Sequence, residues 1–361
     1  MVYRTFGEIV FHSAPNKALQ PTAKSAAAER SVRFPMRKNR SILFTKPITI
    51  PSQDRAHNAI NGSDAESYAL AKLVLACRGE GQWGSREEDN SKIDLIFSCP
   101  HPWFPNERMI ILSQVKSGKA FGELTEEGFK LKGSAKNAAT RTSHDVCVIW
   151  VDRDKKRVFW AYIHPDALPR PQIYGSHHEI TPATIFDLAR CMSARNRGPE
   201  GANGILVRVR GANLAARRKS VKSTYRDTES ILSPVLGSIE LSRLGWRHMF
   251  RSGRREVNKS TSLNLIPYLK TLLRRRPSTH AITANNSFTH DGQQYQVREH
   301  LLKFEKLKVQ LPEENSSTEA IAHVRVIEEI RYPENWESQV MLSQMISRRV
   351  VLKSAYYKSK K

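Results

Sequence analysis

Three residues, Asp94, Gln114 and Lys116, are of the types that can work on a phosphodiester. Metal-assisted attack on such a bond needs oxygen ligands for Mg²⁺, a group that polarises the phosphate, and a cation or base beside the attacking water. Asp94 lies in the apolar run Ile93, Leu95, Ile96, Phe97, where a solvated acid is out of place. A buried carboxylate without a partner is costly, so a cation should stand near it. Gln114, Val115 and Lys116 close the run that starts at Met109. Strand alternation puts Gln114 and Lys116 on one face and Val115 on the other. Plainer readings remain open: Asp94 paired with Lys92 or Lys116 at a strand end, and Gln114 with Lys116 on a solvated sheet edge. Glu87, Glu88 and Asp89 read as a solvated turn, and Ser117, Gly118 and Lys119 as a small basic turn able to touch phosphate.

These residues need a frame. GSDAESYALAKLVLACRG places Ala65, Tyr68, Ala69, Leu73 and Ala76 at helical spacing. Ser63 is the expected N-cap, Glu66 its capping-box partner and Gly79 the stop. Strand-like runs follow at 92–98, 108–117, 144–152 and 157–165, with the Ala-rich GSAKNAATRTS helical between the second and third. Helix, strands, helix, strands suits an α/β domain with a mixed sheet flanked by helices.

In this order, GSDAE, REEDNSKIDLIF, QVKSG and VIWVD resemble the core of the PD-(D/E)XK nuclease superfamily, closest to the bacterial family called domain of unknown function 4365. Gln stands where many members carry the middle acid. The resemblance covers residues 62 to about 165. It implies a restriction-endonuclease-like fold and an Mg²⁺-dependent DNA endonuclease of restriction or anti-phage type, with Mn²⁺ as a substitute ion. It makes Asp94 the main carboxylate ligand, and Gln114 and the Val115 carbonyl neutral ligands. Lys116 would position the water and stabilise phosphorane charge, and Glu66 would complete the metal shell or serve only as a cap. Gln114 removes a negative charge from the site, so the resemblance also admits a weakly catalytic binding module.

The formal charge is +23, which favours a polyanionic partner, nucleic acid ahead of a ribosome or an anionic membrane surface, and the nuclease resemblance implies DNA over RNA. Residues 201–361 hold 29 of the 58 basic side chains but 14 of the 35 acids, so the second half is the more basic. Within GWRHMFRSGRR, Arg247, His248, Arg251, Arg254 and Arg255 are candidate nucleic-acid contacts, with Tyr225, Trp246, Phe250 and Tyr268 interleaved as stacking positions. With Arg325 and LKSAYY, this layout faintly resembles small metal-independent RNases of the barnase and RelE-like group, a third option. The expected organisation is a leader at 1–46, a nuclease-like domain at 60–195, a linker at 196–225 and a basic α+β domain at 226–361. Asn16–Glu29 resembles translated gene-cassette recombination sequence, implying a start at Met36. Cys77, Cys99, Cys147 and Cys191 lack ligand spacing and read as reduced core thiols, which favours the cytoplasm. No apolar run reaches the roughly 18–20 residues of a membrane span. Homodimerisation is compatible with the sequence and not specified by it.

Overall fold

In a computed structural model, residues 55–84, 93–139, 142–168, 170–196, 198–209, 213–312 and 316–359 are described. The leader at 1–46 and the acids Glu87, Glu88 and Asp89, together with Lys92, lie outside them.

Helix α1 (Arg55–Cys77) buries Ala65, Ala69, Leu73 and Ala76, the stripe read from the sequence. It starts eight residues before Ser63, which is therefore an exposed residue inside the helix; the capping-box reading of Ser63 and Glu66 is corrected. The stop is corrected too. Arg78, not Gly79, takes the left-handed conformation, with φ 55°. Gly79 is needed for space, because a Cβ there would lie 2.4 Å from the Phe97 ring.

Strands β1 (Glu80–Trp83), β2 (Leu95–Pro100) and β3 (Arg108–Ser117) form an antiparallel meander. The chain then passes through β4 (Gly122–Leu124), β5 (Gly128–Leu131) and helix α2 (Gly133–Ala139) before β6 (Val146–Asp152) returns parallel to β3. Parallel neighbours require such a crossover. With β7 (Arg157–Ile163) on the far edge, the sheet order is β1-β2-β3-β6-β7. Strand β6, between β3 and β7, is buried on both faces. Cys147, Ile149 and Val151 join the core beneath α1, while Val146, Val148 and Trp150 pack under the small sheet of β4, β5 and β8 (Gln172–Gly175). Helix α3 (Thr184–Asn196) closes the first of these cores with Ile185, Leu188 and Ala189.

The segment 196–225, expected as a linker, carries β9 (Leu206–Arg208) and most of α4 (Leu214–Asp227). Asn213 caps α4, its side chain accepting from the Ala216 N–H at 2.8 Å. After β10 (Ser230–Ser233), β11 (Gly237–Glu240), α5 (Arg243–Met249), α6 (Glu256–Leu265) and α7 (Leu269–Leu273) come the long strands β12 (Thr279–His290), β13 (Gln293–Gln310) and β14 (Ser317–Pro333). A one-turn helix α8 (Leu342–Met345) precedes β15 (Ser347–Ser359). The order is β10-β11-β15-β14-β13-β12, with β9 parallel to β13. Asp291 and Gly292 both have positive φ, 49° and 67°, which is the two-residue turn whose twist matches a hairpin. No described helix is long and apolar enough to cross a membrane.

One face of this sheet serves two partners. Leu302, Phe304, Val324 and Leu352 pack on the helices of the C-terminal half, while Ile330 and Tyr332, with Trp336 and Leu342 beyond them, belong to the core beneath α1. Between these apolar regions lies a buried ionic seam. Arg190 of α3 donates to both oxygens of Glu328 (3.0 and 2.8 Å), and Arg298 donates to Asp187 Oδ1 at 2.6 Å. Arg348 adds a bond to Glu328 Oε1 at 2.8 Å. Burial alone would raise both carboxyls, but the Arg298 and Arg190 charges hold Asp187 low, and Arg190 and Arg348 hold Glu328 well below its usual range.

His300 lies in the same seam, 3.1 Å from Glu328 Oε2 and 2.9 Å from His280 Nε2. If His300 donates to Glu328, its other nitrogen accepts from His280, and both rings are neutral. Burial lowers the pKa of His178, His280 and His300, and brings His177 to about 3. Below the ordinary value of 6.5 the unfolded chain therefore takes up protons that the folded chain refuses. Each such histidine costs up to about 1.4 kcal/mol per pH unit. Stability is expected to be greatest above pH 6.5 and to decline as pH falls from there toward 3. Thermal melts from pH 8 to pH 5 measure this, and an unchanged Tm across that range would refute it.

Candidate active site

Asp94 is the residue before β2, and its backbone is fixed on both sides: its N–H donates to Ser113 O and its carbonyl accepts from Gly84 N–H, each at 2.9 Å. The β2–β3 register, Leu95 opposite Ser113, carries Asp94 to a place opposite Gln114. Asp94 Oδ2 accepts the Val115 N–H at 2.7 Å and lies 3.6 Å from Lys116 Nζ. Lys116 also donates to the Val115 carbonyl at 3.0 Å. Lys116 is thus a cation beside this carboxylate; Lys92, the other candidate, lies outside the described residues.

Val115 packs in the core with Met109 and Ile111, and Gln114 faces the other way, as alternation requires. A solvated edge is excluded for Gln114, which is 0% exposed. Its Oε1 and Nε2 have no hydrogen-bond partner. Each such orphan costs about 1–3 kcal/mol unless solvent or a ligand meets it.

Glu66 is half-buried on α1. Arg153 bonds both the Asn61 carbonyl, at 3.2 Å, and the Ser117 hydroxyl. The Tyr68 hydroxyl donates to Lys156 O at 2.8 Å. These ties lay the turn of α1 that carries Glu66 over the end of the sheet where β3 finishes. The 117–119 turn is there as well: Gly118 has φ +79° and its carbonyl accepts from Trp150 Nε1 at 3.0 Å. Lys119 is exposed and its carbonyl is held by Lys132 at 2.6 Å. Sequence reasoning missed Lys132 and Arg153, whose only signal was charge.

The donors at this end fit a hard cation in kind: the Asp94 carboxylate and the unpartnered Gln114 Oε1. In charge they are sparse. Asp94 already lies against Lys116, and among the described residues no three His, Cys, Asp or Glu groups gather to hold a metal.

The basic candidates separate into two sites. His248, Arg251, Arg254 and Arg255 line a cavity of about 650 Å³, but Arg247 faces a different one, with Arg218, Lys222 and Arg243. Adjacent helical residues point about 100° apart, which is why Arg247 and His248 part company. Two of the stacking positions are corrected. Tyr225 and Phe250 are buried, Trp246 lies against both rings at 5.2 and 4.4 Å, and Tyr268 packs on the same core. The Tyr225 and Phe250 rings hold the C-terminal half together; Trp246 and Tyr268 are partly exposed and each lines a cavity. Compared with protein-family models, curated proteins and solved structures, the chain matches none.

Proposed function

We propose that the chain is a divalent-cation-dependent nuclease of the PD-(D/E)XK type, acting on DNA. The observation that carries the reading is the convergence of Asp94, Gln114 and Lys116 at one end of a sheet whose order is helix, three-stranded meander, crossover helix, parallel strand. The Val115 N–H fixes the Asp94 carboxylate, and the Val115 carbonyl fixes the Lys116 ammonium. Both charges are therefore oriented before any ligand arrives, which is the condition for electrostatic catalysis. Lys116 can offset negative charge that grows on the phosphorus oxygens during attack. Gln114 offers an amide oxygen that binding would satisfy. A divalent cation held by Asp94 and Gln114 would polarise the phosphate as a Lewis acid.

A second reading is supported by the same geometry: with one carboxylate, already paired to a lysine, the site binds metal weakly and the chain recognises nucleic acid without cutting it. Incubating supercoiled plasmid with purified protein and Mg²⁺, Mn²⁺ or EDTA separates the readings. Nicking or linearisation that EDTA stops is expected from the nuclease. Cleavage that persists in EDTA would reject it and point to the C-terminal half.

A further inference from the structure

The cavity that collects His248, Arg251, Arg254 and Arg255 has a second wall. Arg325 of β14 and Lys353, Tyr356 and Lys358 of β15 complete it, although they are some 70 to 110 residues away in sequence. Strand β15 meets β11 through one register pair, Glu240 with Val351, and the part of β15 carrying Lys353 to Lys358 lies beyond it. Six cationic side chains thus line a cavity of about 650 Å³ that has no carboxylate in its lining. Among the described residues no acid pairs with Arg251, Arg254, Arg255 or Lys358.

The arrangement is built, not merely crowded. Glu299, mostly buried on β13, bonds Arg325 at 2.8 Å and Lys353 as well. One carboxylate outside the lining thereby positions two cations in it. Arg254 is held over the Tyr356 ring, 5.7 Å from its centre, and Tyr356 stacks with His323 across the strands. Burial and the neighbouring Arg251 charge both disfavour the charged form of Arg254, and burial with Arg251, Lys353 and Arg254 does the same to His248. Cations kept together against their mutual repulsion are relieved by an anion.

We infer that this cavity holds consecutive phosphates of a single nucleic-acid strand, apart from the Asp94 site. The chemistry of the lining is that of phosphate: guanidinium forks and ammonium groups, with the Ser354 hydroxyl and Tyr356 at hand. At about 650 Å³, walled on one side by the α5–α6 segment and on the other by β14–β15, the cavity is sized for a short stretch of one backbone. The inference goes beyond the nuclease reading and does not depend on it.

The test uses full-length protein in EDTA, so that cleavage plays no part, and fluorescence anisotropy with labelled 12-mers of single-stranded DNA, single-stranded RNA and duplex DNA. Joint Arg251→Gln, Arg254→Gln and Arg325→Gln substitution is expected to weaken single-strand binding on the order of 30-fold. It should also lower the log–log salt slope by about 2, at about 0.7 for each phosphate that is no longer neutralised. Arg218→Gln with Arg243→Gln, in the other basic cavity, should cost far less. Tighter binding to duplex than to either single strand, or equal losses from both sets, would overturn the inference. Should the triple variant fail to fold by circular dichroism, photocrosslinking of wild type to 5-iodouracil oligonucleotides decides. Adducts at Tyr356 or its neighbours support the site, and adducts confined elsewhere overturn it.

Discussion

Asp94→Asn is expected to reduce metal-dependent plasmid cleavage by about 10²–10³-fold or more, the scale for removing one group that stabilises transition-state charge. The substitution keeps the side-chain shape and an acceptor for the Val115 N–H, so the strand end should stay folded. It removes the one carboxylate that joins the Gln114 and Lys116 positions. Lys116→Ala should cost a similar factor in rate if, as proposed, its ammonium acts on charge that develops during attack. Neither change should weaken single-strand binding in EDTA by more than a few-fold, since the cations of the second site are elsewhere. Gln114→Glu should act in the opposite direction, lowering the Mg²⁺ concentration at half-maximal cleavage by restoring a negative charge opposite Asp94. Wild-type rates from the Asp94→Asn protein would remove the proposed active site altogether.

Glu328→Ala should lower stability by about 3–5 kcal/mol, the range for breaking a buried ion pair from one side. The effect is large because Glu328 is 0% exposed and receives bonds from Arg190, Arg348 and His300. Arg298 lies 3.7 Å away. Without the carboxylate the three arginines remain in the seam, with Asp187 bonded to Arg190 and Arg298 and not to Arg348. A drop in Tm on the order of 10 °C follows. Double-mutant cycles of Glu328→Gln with Arg348→Met would apportion the coupling. A Glu328→Ala protein that melts within a degree or two of wild type would mean that apolar contacts alone join the two halves.

The sequence made some of this visible, and the reasons are local. Strand β3 was legible to the residue, Arg108–Ser117, because its apolar run and its change to Gln114 and Lys116 are both properties of one short segment. The same holds for the buried stripe of α1 and for Asp94 needing a cation. Failures came where a local pattern had a nonlocal answer. Ser63 and Glu66 have capping-box spacing, but the residues from Arg55 to Gly62 already belong to the helix, without an apolar stripe to announce it. The β12–β13 hairpin was overlooked although Asp291-Gly292 is a strong turn signal, because the flanking residues are polar and largely exposed. Tyr225 and Phe250 looked like stacking residues since sequence proximity to arginine says nothing about which way a ring points. The seam is the extreme case: Asp187, Arg190, Arg298, Glu328 and Arg348 read singly as ordinary surface charges, and become buried partners when α3 meets the long sheet.

That the core beneath α1 is finished by Ile330, Tyr332, Trp336 and Leu342 has a bearing on how the protein is made. Ribosomes deliver chains from the N-terminus at about 5–20 residues per second. The segments carrying Asp94 and Lys116 therefore wait roughly 10–45 seconds for the side chains that seal the layer behind them. During synthesis, and in any prematurely terminated product, the end of the sheet beside Asp94 and Lys116 rests on an unsealed core. On the proposed reading, cutting competence would arrive only as the chain nears completion, which would limit the exposure of nearby nucleic acid to unfinished copies.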